Sequence, residues 1–395
     1  MECKFITNGI AIDYFGTIKP CCVFRRDQDY NDNNNIHQVS LVDWHQSQKI
    51  INIKKELAQD RWPKECSVCR DIESQGRGDS MRLNAQSSYK HYDDKDITLE
   101  IRGGSVCNFA CQTCWPQASS RVAQYYRQSN MDFVPSQDMD WDFSKLDSIK
   151  HRLRDIILLG GEPFYDKRCL KFLDWLVKEK VTASVTIFTN GSVLNRNFLN
   201  NYEKNLTLVF SIDAVDLAAE YIRFGTDWKI VKENYMYCRQ LPNVQTRINV
   251  TTSPYNYYYL PNLMSWISQD WPSVVSFGAA DTSTNSSYMD ESVFKTEHRS
   301  DILTQVIRSI DIVKSATIEE MQKINAINAL EAIVNNLKNK TYDHQRNLRL
   351  KSFIESMDRV KNIDIWNYCP EIAGYLDINP NKLEKLSPVF LTSDK

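Results

Sequence analysis

Between residues 96 and 285, short apolar runs alternate with amphipathic stretches. Six runs have the length of strands: DITLEI at 96–101, DIILL at 155–159, VTIFT at 185–189, LTLVFSI at 206–212, TRINVT at 246–251 and VVSFGA at 274–279. Helical patterns such as RCLKFLDWLVKEK and WKIVKENYMYCRQL lie between them. Six strands with helical crossovers predict an α/β fold with a parallel sheet, either an open six-stranded barrel or a flat doubly wound sheet.

Two regions of different pattern flank this core. Residues 1–94 hold short strand-like pieces, a polar loop and one helical stretch, LVDWHQSQKIINIKKELAQ. Residues 292–395 carry apolar positions at helical spacing, first from Ile318 to Leu337 and then from Leu350 to Val360. We therefore divide the chain at 1–94, 95–291 and 292–395, and expect the last part to be helical and to pack against the core.

Composition and charge exclude several classes of protein. The chain has 395 residues, 42% of them hydrophobic and 25% charged, with a formal net charge of -2. That balance gives no electrostatic reason to expect a nucleic acid or an anionic membrane as partner. The first residues form no signal-peptide pattern, and no run approaches the roughly 20 apolar residues of a membrane span. We predict a cytoplasmic protein without a membrane partner.

The 11 cysteines are unevenly distributed. In a reducing cytoplasm they favour metal or redox chemistry over disulfides. One group lies in the first 70 residues (Cys3, Cys21, Cys22, Cys66 and Cys69), and a second comprises Cys107, Cys111 and Cys114. The isolated Cys169, Cys238 and Cys369 are predicted to be small buried side chains.

Polar residues follow four successive predicted strands. Cys107 comes after the first strand and GGEP, residues 160–163, after the second. Asn190 follows the third, and Ser211 and Asp213 end the fourth. Because the carboxyl ends of parallel strands carry the active site in α/β folds, we expect these residues to meet at one rim of the sheet.

The central cysteines, in SVCNFACQTCWP, provide three thiols without a fourth nearby. A closed structural zinc site normally takes four ligands. Three thiolates on a [4Fe–4S] cube leave one iron open to a small molecule. The spacing alone is compatible with either an iron–sulfur cluster or a zinc loop.

The chain resembles the radical S-adenosylmethionine (SAM) superfamily over about residues 96–285. The resemblance rests on CxxxCxxC after the first strand, GGEP after the second, SIDA at 211–214 and RFGTDW at 223–228. It implies a partial (β/α)6 radical SAM barrel with a [4Fe–4S] cluster on Cys107, Cys111 and Cys114. The superfamily often has an aromatic residue before the third cysteine, whereas this chain has Thr113 there and Trp115 beyond.

The resemblance also implies a cofactor site and a reaction. SAM would bind the open iron through its amine and carboxylate, and an electron from a flavodoxin- or ferredoxin-like donor would cleave it to methionine and a 5′-deoxyadenosyl radical. That radical would abstract hydrogen from the substrate. The residues implied to contact SAM or to shape its turn are Gly160, Gly161, Glu162, Pro163, Asn190, Ser211, Asp213 and Arg223.

The N-terminal cysteines resemble those of a SPASM/twitch module, which binds an auxiliary iron–sulfur cluster. GTIKPCC and the segment leading to CSVC carry this resemblance, although the module follows the barrel in most relatives. It implies a second [4Fe–4S] cluster on Cys3, Cys21, Cys66 and Cys69, with Cys22 as a spare ligand for Cys21. A structural zinc site would use the same four thiols.

The favoured function is therefore a radical SAM enzyme that acts on a peptide or protein side chain. A small metabolite or nucleotide is the alternative substrate. Outside this class, a zinc-stabilised nucleic-acid-binding protein would also use paired cysteines. GGEP at a strand end and the absence of a basic excess both favour the enzyme.

Overall fold

The computed structural model describes residues 1–25, 34–76, 78, 80–135, 142–280 and 288–380. Part of the predicted N-terminal module, residues 26–33, therefore lies outside the described residues. The same holds for the end of the predicted helical tail, residues 381–395.

The N-terminal region consists of short helices and two short strands. Its elements are α1 (Lys4–Asn8), β1 (Gly9–Ile12), β2 (Ile18–Lys19), α2 (Leu41–His45), α3 (Gln48–Ala58), α4 (Ser67–Ser74) and α5 (Met81–Ser88). The expectation of one helix over LVDWHQSQKIINIKKELAQ is wrong, because the chain is extended at Ser47 (φ -63°, ψ 150°) and a new helix begins after it. Both helices still bury apolar side chains, including Trp44 and Ile53.

The six predicted strands are present, each ending within two residues of its predicted bounds. The elements are β3 (Ile97–Arg102), α6 (Ser120–Gln128), β4 (Leu153–Leu159), α7 (Lys167–Lys178), β5 (Ser184–Thr189), α8 (Arg196–Asn201), β6 (Leu206–Ser211), α9 (Asp216–Ile222), α10 (Trp228–Arg239), β7 (Val244–Thr252), α11 (Leu260–Ile267) and β8 (Val274–Ala279).

All eight described strands form one sheet in the order β2-β1-β3-β4-β5-β6-β7-β8. From β3 to β8 neighbours are parallel and follow the chain without reversal. A doubly wound sheet reverses its order at a switch point, so the sequential order agrees with an open barrel. Strand β1 also joins the sheet, parallel to β3, with Gly9 opposite Thr98. The sheet therefore crosses the predicted boundary at residues 94/95, and the domain boundaries stay predictions.

The two faces of the sheet differ in polarity. In β3, Leu99 and Ile101 are buried in the core, whereas Glu100 and Arg102 on the other face are only half-buried. In β7, Ile248 is likewise buried, and its neighbour Asn249 is half-buried. Successive side chains of a strand point to opposite faces, so one face of the sheet is largely apolar and the other, which we call the inner face, is partly polar.

The C-terminal region is helical, as predicted. Its helices are α12 (Thr296–Ser315), α13 (Glu320–Asn339), α14 (His344–Lys361) and α15 (Pro370–Tyr375). Helix α12 packs against α11 and α13, α13 against the edge strand β8, and α14 against α6. In the part of the chain that the structure describes, no helix is both long and apolar enough to cross a membrane.

His45, at the end of α2, should make stability depend on pH. Its side chain is buried, and Nε2 has no hydrogen-bond partner among the described residues. Burial, helped by the charges of Lys54 and Arg152, lowers the pKa of His45 from 6.5 to about 4. Its neutral form therefore contributes stability that is complete above pH 6.5 and is lost as the pH falls toward 4. The shift corresponds to about 3 kcal/mol.

We expect His45→Phe to lose less of its free energy of unfolding than the unmodified protein between pH 6.5 and pH 4. Urea unfolding at several pH values measures this difference. The exposed His37 offers a control, since His37→Phe should leave the pH dependence unchanged. Equal pH dependence in His45→Phe and the unmodified protein would contradict the assignment.

Candidate active site at the carboxyl ends of the strands

The three central cysteines lie on a loop after β3 whose backbone is held by a distant segment. Ala110 N donates to Phe224 O at 2.8 Å. Gln112 N donates to Ile222 O at 2.7 Å. Both acceptors lie at the end of α9 or just after it. We call residues 107–114 the cysteine loop; its backbone is fixed by the protein itself.

Nitrogen donors lie near two of the three sulfur atoms. Phe109 N is 3.4 Å from Cys107 Sγ, and Arg223 Nη1 is 3.9 Å from Cys111 Sγ. Burial disfavours the thiolates and raises the pKa of all three thiols, that of Cys114 to about 12. A metal centre that binds them must therefore displace their protons.

The cysteine loop fits an iron–sulfur cluster. Gln112 Nε2 is buried without a partner in the described part of the chain, and a cluster sulfur atom can accept such a hydrogen bond. Among the described residues, no three Cys, His, Asp or Glu side chains are arranged to hold one metal ion. A cube does not need that convergence, because each thiolate binds a different iron.

The GGEP turn after β4 packs on residues 104–106, the segment that leads from β3 into the cysteine loop. Gly161 N donates to Gly104 O at 2.8 Å, and Glu162 N donates to Val106 O at 2.9 Å. A Cβ atom at Gly161 would lie 2.2 Å from Val106 O. Glycine is therefore required here by the approach of two backbone segments, whatever else the turn binds. Pro163 completes the turn and is buried.

The carboxylate of Glu162 is buried and connects the ends of β4 and β5. Oε1 accepts hydrogen bonds from Thr189 Oγ1 at 2.8 Å and Phe164 N at 3.1 Å. Oε2 accepts one from Asn190 N at 2.6 Å. Burial raises the pKa of Glu162 to about 7, against the effect of these three donors. A carboxylate offers about four acceptor positions, so about one remains for a further donor.

Asn190 joins the end of β5 to the cysteine loop. Its Nδ2 donates to Asn108 Oδ1 at 2.9 Å and lies 4.0 Å from Cys107 Sγ. Asn108 Nδ2 in turn donates to Ser192 Oγ at 2.8 Å. The cysteine motif, the GGEP turn and Asn190 thus form one contiguous unit, as expected from their positions after successive strands.

Asp213 and Arg223 pair with each other. Arg223 Nε lies 2.8 Å from Asp213 Oδ2, and both side chains are largely buried. Asp213 Oδ1 also accepts a hydrogen bond from Thr251 N at 2.7 Å. Ser211, half-buried at the end of β6, lies opposite Asn249 of β7.

A lysine from the C-terminal region also reaches this site. Lys361 Nζ donates to Ala110 O at 2.9 Å and to Gln112 Oε1 at 3.0 Å. Burial lowers the pKa of Lys361 to about 8. Sequence reasoning missed this residue, and it also missed Asn108 and Thr189. For Asn108 and Thr189 a signal was available, since each adjoins a predicted site residue.

The four predicted N-terminal ligands line one cavity. Cys3, Cys21, Cys66 and Cys69 share it with apolar side chains such as Phe24. Burial raises the pKa of three of these thiols, that of Cys66 to about 12. The four thiols are thus gathered in one largely apolar cavity, whose wall also includes Glu65 and Arg82.

Cys22 faces a different cavity, which we call the inner cleft. Its wall is formed by the turn between β1 and β2, the inner face of β3 and the segment after Cys114, including Trp115. Arg102 lies over the ring of Tyr14, 5.7 Å from its centroid. Lys19 Nζ is 3.0 Å from Asp13 Oδ2. The inner cleft is thus lined by one N-terminal cysteine and by a residue next to the cysteine loop, and it carries charges of both signs.

The chain matches no family model, and no curated protein matches it. Among solved structures it is similar to native anSMEcpe with bound AdoMet, at 17% identity and a TM-score of 0.38, over 46% of this chain and 52% of that one. The chain thus spans about half the length of that structure.

A second similar structure is Streptococcus suis SuiB, at 15% identity and a TM-score of 0.37, over 86% of this chain and 76% of that chain. SuiB bound to its precursor peptide SuiA is similar at 14% identity and a TM-score of 0.37, over 61% of this chain and 60% of that one. With TM-scores below 0.5, these likenesses carry no conclusion about function.

Proposed function

We propose that this protein is a radical SAM enzyme. The observation that carries the proposal is the contiguous unit of cysteine loop, GGEP turn and Asn190 at the carboxyl ends of β3, β4 and β5. A closed zinc site takes four ligands, whereas this loop offers three thiols. An open coordination position beside a buried carboxylate suits a centre that binds a small molecule.

In this proposal Cys107, Cys111 and Cys114 would hold a [4Fe–4S] cluster with one iron open to SAM. Such a cluster would supply the electron for cleavage of SAM to methionine and a 5′-deoxyadenosyl radical, and that radical would take hydrogen from the substrate. The protein binds and orients SAM and keeps water from the reacting atoms. A flavodoxin- or ferredoxin-like protein is the proposed electron donor.

The side chains at the rim have complementary tasks toward SAM. The remaining acceptor position of Glu162 suits the ammonium group, because charge-assisted hydrogen bonds are strong. The backbone of Gly160 and Gly161, in the same turn, would receive the same ammonium group. Arg223, oriented by Asp213 at 2.8 Å, suits the carboxylate of SAM. Ser211 provides a hydroxyl at the same rim for the ribose.

We propose further that the N-terminal cavity holds an auxiliary [4Fe–4S] cluster. Its four thiols share one cavity. The same thiols would also satisfy a tetrahedral zinc site. Iron is favoured because an auxiliary cluster in a protein that holds a first cluster can pass electrons or contact the substrate.

The adjacent Cys21 and Cys22 give a matched test of the auxiliary site. We expect Cys21→Ala to lose about four irons per chain, and Cys22→Ala to keep them, because Cys22 faces the inner cleft. Iron analysis after anaerobic reconstitution measures both. Equal losses of iron in the two variants would show that Cys21 is not the ligand that distinguishes them. If the native metal at this site is zinc, the proposal of an auxiliary iron–sulfur cluster is wrong.

The proposed substrate is a peptide or protein side chain, bound in the inner cleft. The cleft is lined by Cys22 and by Trp115, which are next in sequence to the proposed ligands Cys21 and Cys114, and by paired charges and the ring of Tyr14. Such a lining suits the polar backbone and mixed side chains of a peptide better than the concentrated negative charge of a nucleotide.

Anaerobic turnover tests the function and the substrate together. The reduced protein is incubated with SAM and candidate peptides, and mass spectrometry follows 5′-deoxyadenosine and peptide modification. We expect slow SAM cleavage without substrate and faster cleavage with a cognate peptide. If only a nucleotide, sugar or amine accelerates cleavage, the substrate is a small molecule. If reduced, reconstituted protein never cleaves SAM, the radical SAM assignment fails.

A further inference from the structure

Lys361, the last residue of α14, places its ammonium group against Ala110 and Gln112 of the cysteine loop. The residue is 8% exposed. In addition to its two hydrogen bonds to the loop, Nζ lies 5.3 Å from the ring centroid of Phe224 and 5.8 Å from that of Tyr125. A side chain from the C-terminal helices thus binds the loop, and it lies next to Tyr125 of α6 and Phe224, which follows α9.

The charge of Lys361 has no carboxylate partner among the described residues. Arg223, the other cation at the loop, is paired with Asp213 at 2.8 Å. The titratable groups that act on Lys361 are Asp358, Cys111 and Cys114.

Asp358 is already engaged elsewhere. It accepts hydrogen bonds from Tyr221 Oη at 2.9 Å and from Ile365 N at 2.8 Å. A buried cation costs free energy unless an opposite charge compensates it. These hydrogen bonds leave the negative charge of Asp358 in place, so Asp358 offsets part of the charge of Lys361. The thiols of the cysteine loop would supply further negative charge once a metal centre displaces their protons.

We propose that Lys361 is a positioning residue of the cysteine loop and the counter-charge of the centre that the loop holds. This inference rests on the proposed function, because three thiolates on an iron–sulfur cube form an anionic group. The ammonium fixes the carbonyl of Ala110 and the side chain of Gln112, and so sets the spacing of the thiols. Its charge stabilises the reduced, more negative cluster and raises its reduction potential.

Replacement of the ammonium at constant volume tests both roles. In Lys361→Met we expect the midpoint potential of the cluster, measured by an EPR-monitored redox titration, to become more negative. We also expect iron to be lost to a chelator about tenfold faster or more, as is typical when a group that supports a metal ligand is removed.

Arg359→Met is the matched control. It removes one positive charge from the same last turn of α14, but from an exposed position, so its potential and iron retention should remain those of the unmodified protein. If Lys361→Met and Arg359→Met have the same potential and the same iron retention, the inference is overturned while the proposed function stands.

A second measurement does not depend on a cluster. In the full chain before reconstitution, loss of two hydrogen bonds from a charged donor should speed hydrogen exchange of the loop amides of Ala110 and Gln112 about tenfold or more. Gln112→Met removes one of the same contacts from the loop side and should speed the exchange of the Ala110 amide in the same direction. Unchanged exchange rates in both variants contradict the positioning role of Lys361, even if the unmodified protein holds no iron and the proposed function has failed.

Discussion

Replacement of Cys107, Cys111 and Cys114 together by alanine is expected to reduce SAM cleavage to the rate seen without protein. The iron content after reconstitution should fall from about eight to about four per chain, because only the cluster of the N-terminal cavity remains. The reason is structural: Cys169, another thiol near the end of β3, is buried against Gly103 and is not part of the cysteine loop. Iron analysis and the yield of 5′-deoxyadenosine measure the two effects.

Cys238→Ala is the control for the loss of a buried thiol. Cys238 lies in the buried face of α10, so its replacement should leave both iron and SAM cleavage unchanged. A triple variant that retained all its iron, or still cleaved SAM, would show that the cluster is not held by the cysteine loop.

Glu162→Gln should lower both stability and SAM affinity. All three groups that contact the Glu162 carboxylate are donors. The amide group of glutamine would turn an N–H toward one of them, leaving a buried donor unsatisfied at a cost of about 2 kcal/mol in the free energy of unfolding. Loss of the carboxylate also removes the proposed acceptor of the SAM ammonium, and we expect at least about tenfold weaker binding, about 1.4 kcal/mol.

Urea unfolding and equilibrium binding of SAM to the reconstituted protein separate the two effects of this variant. Glu203→Gln, at an exposed position, should match the unmodified protein in both. If Glu162→Gln is less stable but binds SAM normally, the carboxylate only connects β4 with β5, and the proposed role of the GGEP turn in SAM binding has to be abandoned.

The central strands could be predicted because each is a short apolar run followed by a polar segment. VVSFGA, for example, coincides with β8. The approach of the polar residues after β3, β4 and β5 followed from the same pattern, since parallel strands end at one rim. The hydrogen-bond partners of each of these polar residues could not be predicted from this pattern. Periodicity cannot show that Glu162 accepts a hydrogen bond from the Asn190 backbone.

The remaining features depend on contacts between distant parts of the chain. In the sequence Lys361 is only the charged end of an amphipathic helix, and its partner Ala110 lies 251 positions away. The spacing of Cys21 and Cys22 cannot decide which thiol enters the N-terminal cavity, because the local direction of the backbone decides it. The strand GIAI is too short to reveal that it pairs with β3.

The pairing of β1 with β3 has a consequence for the order in which the sheet would come apart. Cys3 precedes β1, and the other three N-terminal thiols lie on the long connection from β1 to β3. A metal centre on all four would cross-link this connection on both sides of β1 and remove conformational freedom that the unfolded chain would otherwise have. Without metal, β2 and β1 would be the first strands to fray, while β3 to β8 would keep their pairing. The auxiliary centre would then stabilise the pairing of the outer strands of the sheet, whether or not it also transfers electrons.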